Sequence, residues 1–229
     1  MLSKIDKIKI DKIYIISYTK NDISRQHIKE QLNYRGITDF EFIYTYNVSK
    51  NIINNPHNLS IQHLSVSFTH YDIIKKSYEL GLERILIFED DVLFLQDKKL
   101  FNEVLNKGIE SSADIYMYDY SKRNTNIENV YAFMLTSGYM LNRNGMKFMI
   151  DNYENDPFII DEYFYYDEIN KYFVDSVYFN INENSFTLYI QNRNTTLEYA
   201  DIHLCHQKIN NYMYYTDNDN INEELYFKY

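Results

Sequence analysis

Short apolar runs alternate along the chain with longer segments in which apolar residues recur at helical spacing. Residues 12–18 (KIYIISY) and 84–88 (RILIF) are nearly continuous apolar runs rich in β-branched and aromatic residues. Runs of this kind are typical of strands buried in a parallel sheet. Between them, the apolar residues of 63–80 recur at helical spacing, and Gly81 ends the segment. This alternation predicts an α/β architecture.

The full pattern extends this alternation over most of the chain. Predicted strands cover residues 12–18, 40–46, 84–88, 113–120, 131–135, 174–179 and 186–190, and predicted helices cover 22–34, 63–80, 97–107, 144–152 and 161–171. The polar, Asn-rich segment 48–62 is expected to form a loop over the sheet. We expect one α/β domain over residues 1–229, with a mainly parallel sheet flanked by helices. The pattern weakens late in the chain, so residues 196–229 are expected to be a weakly patterned C-terminal extension.

Composition narrows the class of protein. With 229 residues and 45% hydrophobic content, the chain can bury a sizeable core. A formal net charge of −10 argues against nonspecific binding to nucleic acid or to anionic membranes, since both need Lys and Arg. Cys205 is the sole cysteine, which excludes an intrachain disulfide, indicates a reducing compartment and favours a small buried apolar role. No transmembrane-length apolar segment or signal-peptide core is present, so a cytoplasmic location is expected.

Three consecutive carboxylates, Glu89, Asp90 and Asp91, follow the apolar run 84–88 directly. Ligands of open α/β sheets gather at the carboxyl ends of strands, where this order places the acids. Adjacent anions repel one another unless a cation lies among them, and Mg²⁺ or Mn²⁺ bound to diphosphate oxygens would relieve that repulsion. The alternative is that the acids cap the following helix or end the strand in solvent.

Two other phosphate-handling chemistries fit the residues less well. A phosphatase of the haloacid dehalogenase type needs an aspartate nucleophile two positions before a second aspartate, whereas Glu89 occupies that position before Asp91. None of the five glycines has the spacing of a Rossmann or Walker phosphate loop.

Four sequence blocks, in order, resemble glycosyltransferase family 25, which contains lipooligosaccharide and collagen sugar transferases. The blocks are Ile13-Tyr14-Ile15-Ile16-Ser17 with Arg25, Ser65-Val66-Ser67-Phe68-Thr69-His70, Glu89-Asp90-Asp91-Val92, and Gly138-Tyr139-Met140-Leu141 with Gly145. The acidic block matches the family outright, and the likeness spans about residues 13–162. Ser17 stands in place of a usual Asn, Ser65 and Val66 in place of Gly-Cys, and Thr69 in place of Ser.

This resemblance implies a GT-A-like, Rossmann-related fold, a nucleotide-sugar donor and a divalent metal. It implies Asp91 as the first metal ligand, Asp90 beside the metal or the ribose, and Glu89 as support. Arg25 would meet the nucleotide or its diphosphate through paired hydrogen bonds. The other donor-side residues that the resemblance implies are Ser17, Ser67, His70, Gly138 and Tyr139. The alternative roles of these residues are structural. Arg25 would be an exposed helix residue, His70 a capping or core residue, and Gly138 and Tyr139 would serve tight packing.

A second apolar run, 157–160, ends in Asp161 and Glu162. An inverting transferase needs a carboxylate that takes the proton of the attacking acceptor hydroxyl. We assign that role to Asp161, with Glu162 as its substitute, against the alternative of a helix N-terminal carboxylate. His203 and His206 follow the last predicted strand, but a pair three residues apart is a weak indication of metal ligands.

Together with the acidic cluster, the family resemblance thus implies a metal-dependent transferase that moves a hexose, galactose or glucose, from a UDP-sugar to a carbohydrate or glycoconjugate acceptor. Inversion at the sugar carbon is implied by the family resemblance alone. Two alternatives stay open at this point. One is a catalytically inactive protein of the same descent that binds a sugar or a partner, and the other is a different metal-dependent, phosphoryl-handling α/β enzyme.

Overall fold

Helices and strands alternate through most of the chain. The computed structural model describes residues 10–17, 22–45, 61–94, 96–118, 121–124, 131–134, 137–155, 177–182, 185–190, 195–200, 204–209 and 212–213. The helices are α1 (Asp22–Arg35), α2 (Ile61–Glu79), α3 (Lys98–Glu110) and α4 (Arg143–Asn155). The strands are β1 (Lys12–Ser17), β2 (Glu41–Tyr44), β3 (Arg84–Glu89), β4 (Val92–Phe94), β5 (Ile115–Met117), β6 (Ser121–Asn124), β7 (Tyr131–Met134), β8 (Gly138–Asn142), β9 (Val177–Asn182), β10 (Ser185–Ile190), β11 (Thr195–Tyr199), β12 (Cys205–Ile209) and β13 (Tyr212–Met213).

Local signals account for the helix ends. Gly36 and Gly81 follow α1 and α2 with φ of 87° and 76°, the left-handed conformation that ends helices and that glycine adopts without strain. At the start of α3, the Asp97 carboxylate accepts a hydrogen bond from the Leu100 amide at 2.9 Å. The predicted helix stop at Gly81 is therefore confirmed, and Gly36 and Asp97 mark the end of α1 and the start of α3.

Eight of the described strands form one sheet in the order β2-β1-β3-β8-β5-β11-β10-β9. Strand β1 runs parallel to both β2 and β3, with Ser17 opposite Tyr44 and Ile16 opposite Glu89. The ends of these three strands therefore meet at one edge of the sheet, here called the carboxyl edge. Strand β8 runs antiparallel to β3, which brings its first residue, Gly138, to the same edge opposite Phe88.

The sheet is mixed, which corrects the prediction of a mainly parallel one. Strand β8 is antiparallel to both β3 and β5, and β10 is antiparallel to both β9 and β11. The parallel pairings are β1 with β2, β1 with β3, and β5 with β11. Burial on both faces produces the same continuous apolar run in either strand direction, so the sequence pattern could not distinguish them.

Helices cover both faces of the sheet. One core packs α2 and α4 against the faces of β1 and β3 that carry Tyr14, Ile16, Ile85 and Ile87. The other core packs α1 and α3 against Ile15, Leu86 and Phe88 on the opposite face. Successive side chains of β1 and β3 thus point alternately into two apolar layers. The predicted α/β class with flanking helices is confirmed.

Several strands lie where the sequence pattern is weak. Strand β11 enters the main sheet beside β5, and β12 pairs with β4, with Cys205 opposite Phe94. Two described strands from the predicted weakly patterned segment, β11 and β12, therefore belong to the sheets. The predicted helix 161–171 lies outside the described residues.

Candidate functional site

The acidic residues form a turn between two strands at the carboxyl edge. Glu89 ends β3, Asp90 and Asp91 make the turn, and β4 begins at Val92. The Glu89 amide donates to the Ser137 carbonyl at 3.0 Å, and the Asp90 amide donates to the Ile16 carbonyl at 2.9 Å. These main-chain bonds fix the segment Glu89–Asp91, here called the acid turn, between the ends of β1 and β8.

Asp90 is held by a short chain of polar contacts that begins on α1. Its side chain is buried, and its Oδ2 accepts a hydrogen bond from the Ser17 hydroxyl at 2.6 Å. Arg25 Nη1 donates to the same Ser17 oxygen at 3.1 Å, and its Nη2 pairs with the Asp22 carboxylate. The structure therefore brings together three of the predicted residues, Ser17, Arg25 and Asp90.

Tyr44 belongs to the same group of side chains and was not predicted. It ends β2 opposite Ser17, its side chain is half exposed, and the Arg25 guanidinium lies 5.2 Å from its ring centroid. An exposed aromatic ring beside a cation at the end of a strand suits contact with a planar ligand group. The predicted strand 40–46 contained Tyr44, but no motif in the sequence marked this residue as part of the site.

Glu89 is held from the other side by His70 and Tyr139. The buried His70 ring has Nε2 3.3 Å from Glu89 Oε1 and Nδ1 2.7 Å from the Tyr139 hydroxyl oxygen. A carboxylate only accepts hydrogen bonds, so we assign the proton to Nε2, and the Tyr139 hydroxyl then donates to Nδ1. Burial and the nearby Glu89 carboxylate raise the pKa of the Tyr139 phenol well above its usual value, which keeps it a donor.

Gly138 and Ser67, two further predicted residues, are set by packing. A Cβ atom on Gly138 would lie 2.6 Å from Cys205 Sγ and 3.0 Å from the Phe88 ring, so no side chain fits there. Ser67 is buried on α2, three residues before His70. The predicted small buried role of Cys205 is confirmed, because its side chain is fully buried.

The acid turn carries carboxylate oxygens of the kind that bind divalent ions. Among the residues that the structure describes, no three His, Cys, Asp or Glu side chains are grouped to hold a metal. Two adjacent carboxylates, the buried Asp90 and the half-buried Asp91, lie side by side in this turn. Mg²⁺ and Mn²⁺ are often held by one or two carboxylates together with substrate phosphates, so this donor set fits such an ion.

The structure places only one of the four remaining candidates, which are the predicted base, its substitute and the two late histidines. Asp161, Glu162 and His203 lie outside the described residues. The backbone of His206 lies in β12 opposite Leu93, beside the strand that leaves the acid turn. Strand β12 therefore lies beside the strand that follows the acid turn.

Comparison with known proteins agrees with the arrangement at this edge. The sequence model described as glycosyltransferase family 25 (LPS biosynthesis protein) matches residues 10–169, more than half of the chain. The chain belongs to glycosyltransferase family 25. The match covers β1, the acid turn and β8, so the predicted family and the predicted enzyme class, a glycosyltransferase, are confirmed.

Other comparisons of this glycosyltransferase give little further detail. A crystal structure of a glycosyltransferase involved in the glycosylation of the major capsid of PBCV-1 is 18% identical to it. The match covers 64% of this chain and 69% of that one, with a TM-score of 0.36. No curated protein matches the sequence significantly. Within the described segments, no helix has the length and apolar character needed to cross a membrane.

Proposed function

We propose that this transferase moves a hexose, galactose or glucose, from a UDP-sugar to a carbohydrate or glycoconjugate acceptor, with inversion and with a divalent metal. The observation that carries the proposal is the acid turn at the carboxyl edge, where Asp90 is held through Ser17 and Glu89 through His70. A set of buried and half-buried carboxylates at such an edge suits a cationic or metal-bound phosphate ligand. We further propose that the mixed sheet is a GT-A-like variant of the Rossmann arrangement.

The nucleotide half of the donor would lie toward β1 and β2. Arg25 offers paired N–H donors for the diphosphate or the ribose, and it is held at this edge by Ser17 and Asp22. Tyr44 offers an exposed ring on which a base can stack. The donor sugar would then lie near the start of β8, beside the acid turn.

Asp91 would hold the metal together with Asp90, and Mn²⁺ or Mg²⁺ fits these oxygen ligands. When bound, such an ion neutralises charge on the diphosphate leaving group. Ser17 and Arg25 fix the Asp90 carboxylate, and His70 and Tyr139 fix Glu89, so the acids keep their geometry while charge develops on the diphosphate.

The transfer step needs a base, and we propose Asp161, with Glu162 as its substitute. The acceptor hydroxyl oxygen forms a bond to the anomeric carbon as the bond from that carbon to the diphosphate oxygen breaks. UDP leaves with the electron pair of that bond, and the hydroxyl proton passes to the carboxylate of the base. Attack from the face opposite the diphosphate inverts the sugar carbon.

Thermal stabilisation by a panel of nucleotide sugars tests the donor and the metal together. We expect UDP-galactose or UDP-glucose at saturating concentration to raise the melting temperature by about 5 °C or more in the presence of Mn²⁺, and much less in EDTA. Asp91→Asn should abolish the shift. Asp151→Asn, which changes an exposed carboxylate paired with Lys147 on α4, is the matched control and should retain it.

Product analysis with the stabilising donor completes the test. Release of UDP together with a transferred or hydrolysed hexose supports the transferase. Donor binding without any turnover would favour a catalytically inactive protein of this family. No stabilisation by any nucleotide sugar would contradict the proposed donor class. The lone Cys205 among 229 residues supports a proposed cytoplasmic location.

A further inference from the structure

Strand β4 is only three residues long, yet it determines where the acid turn ends. Asp91 precedes it directly, so any shift of β4 moves the Asp91 carboxylate. Strand β12 covers one edge of β4. The two strands pair antiparallel, and Gln207 of β12 lies opposite Val92 of β4. The other edge faces helix α1 rather than a strand.

The side chain of Gln31 takes the place of a neighbouring strand at that second edge. Its Oε1 accepts a hydrogen bond from the Phe94 amide at 2.9 Å, and its Nε2 donates to the Val92 carbonyl at 3.0 Å. Both ends of the buried amide are therefore bonded to the backbone of β4, in the manner of a sheet partner.

Arg35, one helical turn further along α1, holds the end of the same strand. Its guanidinium donates to the Phe94 carbonyl at 3.1 Å and to the Gln96 carbonyl at 2.6 Å. It also lies 5.2 Å from the ring centroids of both Phe94 and Phe101. The side chain is buried, so these contacts are protected from solvent and fix the direction in which β4 leaves the turn.

The same helix also reaches the other side of the acid turn. Arg25, in the first turns of α1, donates to Ser17, and Ser17 donates to Asp90. Helix α1 is thus linked to Asp90 through Arg25 and Ser17, and it bonds the strand after Asp91 through Gln31 and Arg35. A helix is a stiff element, so these contacts tie the two sides of the turn to one body.

We propose that Gln31 and Arg35 are positioning residues for the acid turn, acting on Asp91 through the backbone of β4. This inference rests on the proposed function, because it assigns the two residues to the binding of a metal-bound nucleoside diphosphate. Both residues are buried and bond β4, so they would act through that strand rather than by touching the donor. Their effect is to hold the Asp91 carboxylate where it can share an ion with Asp90 and the diphosphate.

Calorimetric titration with UDP in the presence of Mn²⁺ separates this role from a purely structural one. Gln31→Met keeps the size and helix preference of the side chain but removes both hydrogen bonds to β4. Groups that orient a metal ligand typically change affinity by 10–100-fold, so we expect the dissociation constant of Mn²⁺-bound UDP to rise by about tenfold or more. Arg35→Lys keeps the charge but loses the paired donors, and should act in the same direction.

Met149→Ala is the matched control, because Met149 is buried in the core on the opposite face of the sheet. It should lower the melting temperature while leaving the dissociation constant within about twofold of the wild type. Gln31→Met or Arg35→Lys binding as tightly as the wild type, despite a lowered melting temperature, would overturn the inference. Where Gln31→Met does not fold, the milder Arg35→Lys carries the comparison. Absence of UDP binding by the wild type would instead contradict the proposed function.

Discussion

At the scale of single residues, the acid turn owes its form to partners that are distant in sequence. Glu89 contacts His70 on α2, and Asp90 contacts Ser17 on β1. The acids and the histidine were predicted as site residues, since they stand in recognisable blocks. Their pairing with one another was not predictable, because it depends on how β3 packs between β1 and β8.

Gly138 gives a prediction at this scale. Alanine there would bring Cβ to 2.6 Å from Cys205 Sγ, so either the strand or the thiol must move. We expect Gly138→Ala to lower the free energy of unfolding by about 1–3 kcal/mol in urea titrations. Cys205→Ala should be less harmful in the Gly138→Ala background than in the wild type, since it removes the obstructing sulfur. Additive effects of the two changes would contradict the packing explanation.

At the scale of elements, sequence periodicity predicted β1, α1, α2 and β3 well. These elements are long or strongly apolar, and Gly36 and Gly81 mark two of their ends. The strand directions were missed because a strand buried on both faces has the same pattern either way. Strand β4 was missed because three residues are too few to show a period.

Asp114, just before β5, joins three elements, namely β8, α4 and β11, so its substitution tests the packing of these elements. Its carboxylate accepts hydrogen bonds from Asn142 and Asn144 at the β8–α4 junction, and from the amide and hydroxyl of Thr196 in β11. We expect Asp114→Ala to lower the free energy of unfolding by about 3 kcal/mol or more, measured by urea titration. The exposed Asp151→Ala should cost less than about 0.5 kcal/mol. A cost at Asp114 as small as that of the control would show that this cluster does not join the elements.

At the scale of the whole molecule, buried tyrosines link stability to pH. Burial raises the pKa of Tyr153 to about 12 and the pKa values of Tyr118 and Tyr139 well above their usual range. Tyrosines in the unfolded chain lose their protons near pH 10. Above that pH the folded state holds more protons than the unfolded state, so stability falls as the pH rises.

We therefore expect the melting temperature to change little between pH 7 and about pH 9 and to fall steeply above about pH 10. Tyr153→Phe removes one of the responsible groups, so its melting temperature should fall less steeply above that pH. Tyr34→Phe changes an exposed tyrosine on α1 and should follow the wild-type profile. A wild-type profile that stays flat to pH 11.5 would contradict the explanation.

The proposed function depends on a divalent ion that joins the acid turn to a diphosphate. Anomalous diffraction from crystals grown with UDP and Mn²⁺ measures this directly. We expect an anomalous peak at coordination distance from the Asp91 carboxylate and from diphosphate oxygens, with the nucleoside extending toward Arg25 and Tyr44. Manganese or nucleotide bound elsewhere, with the acid turn contacting neither, would contradict the account.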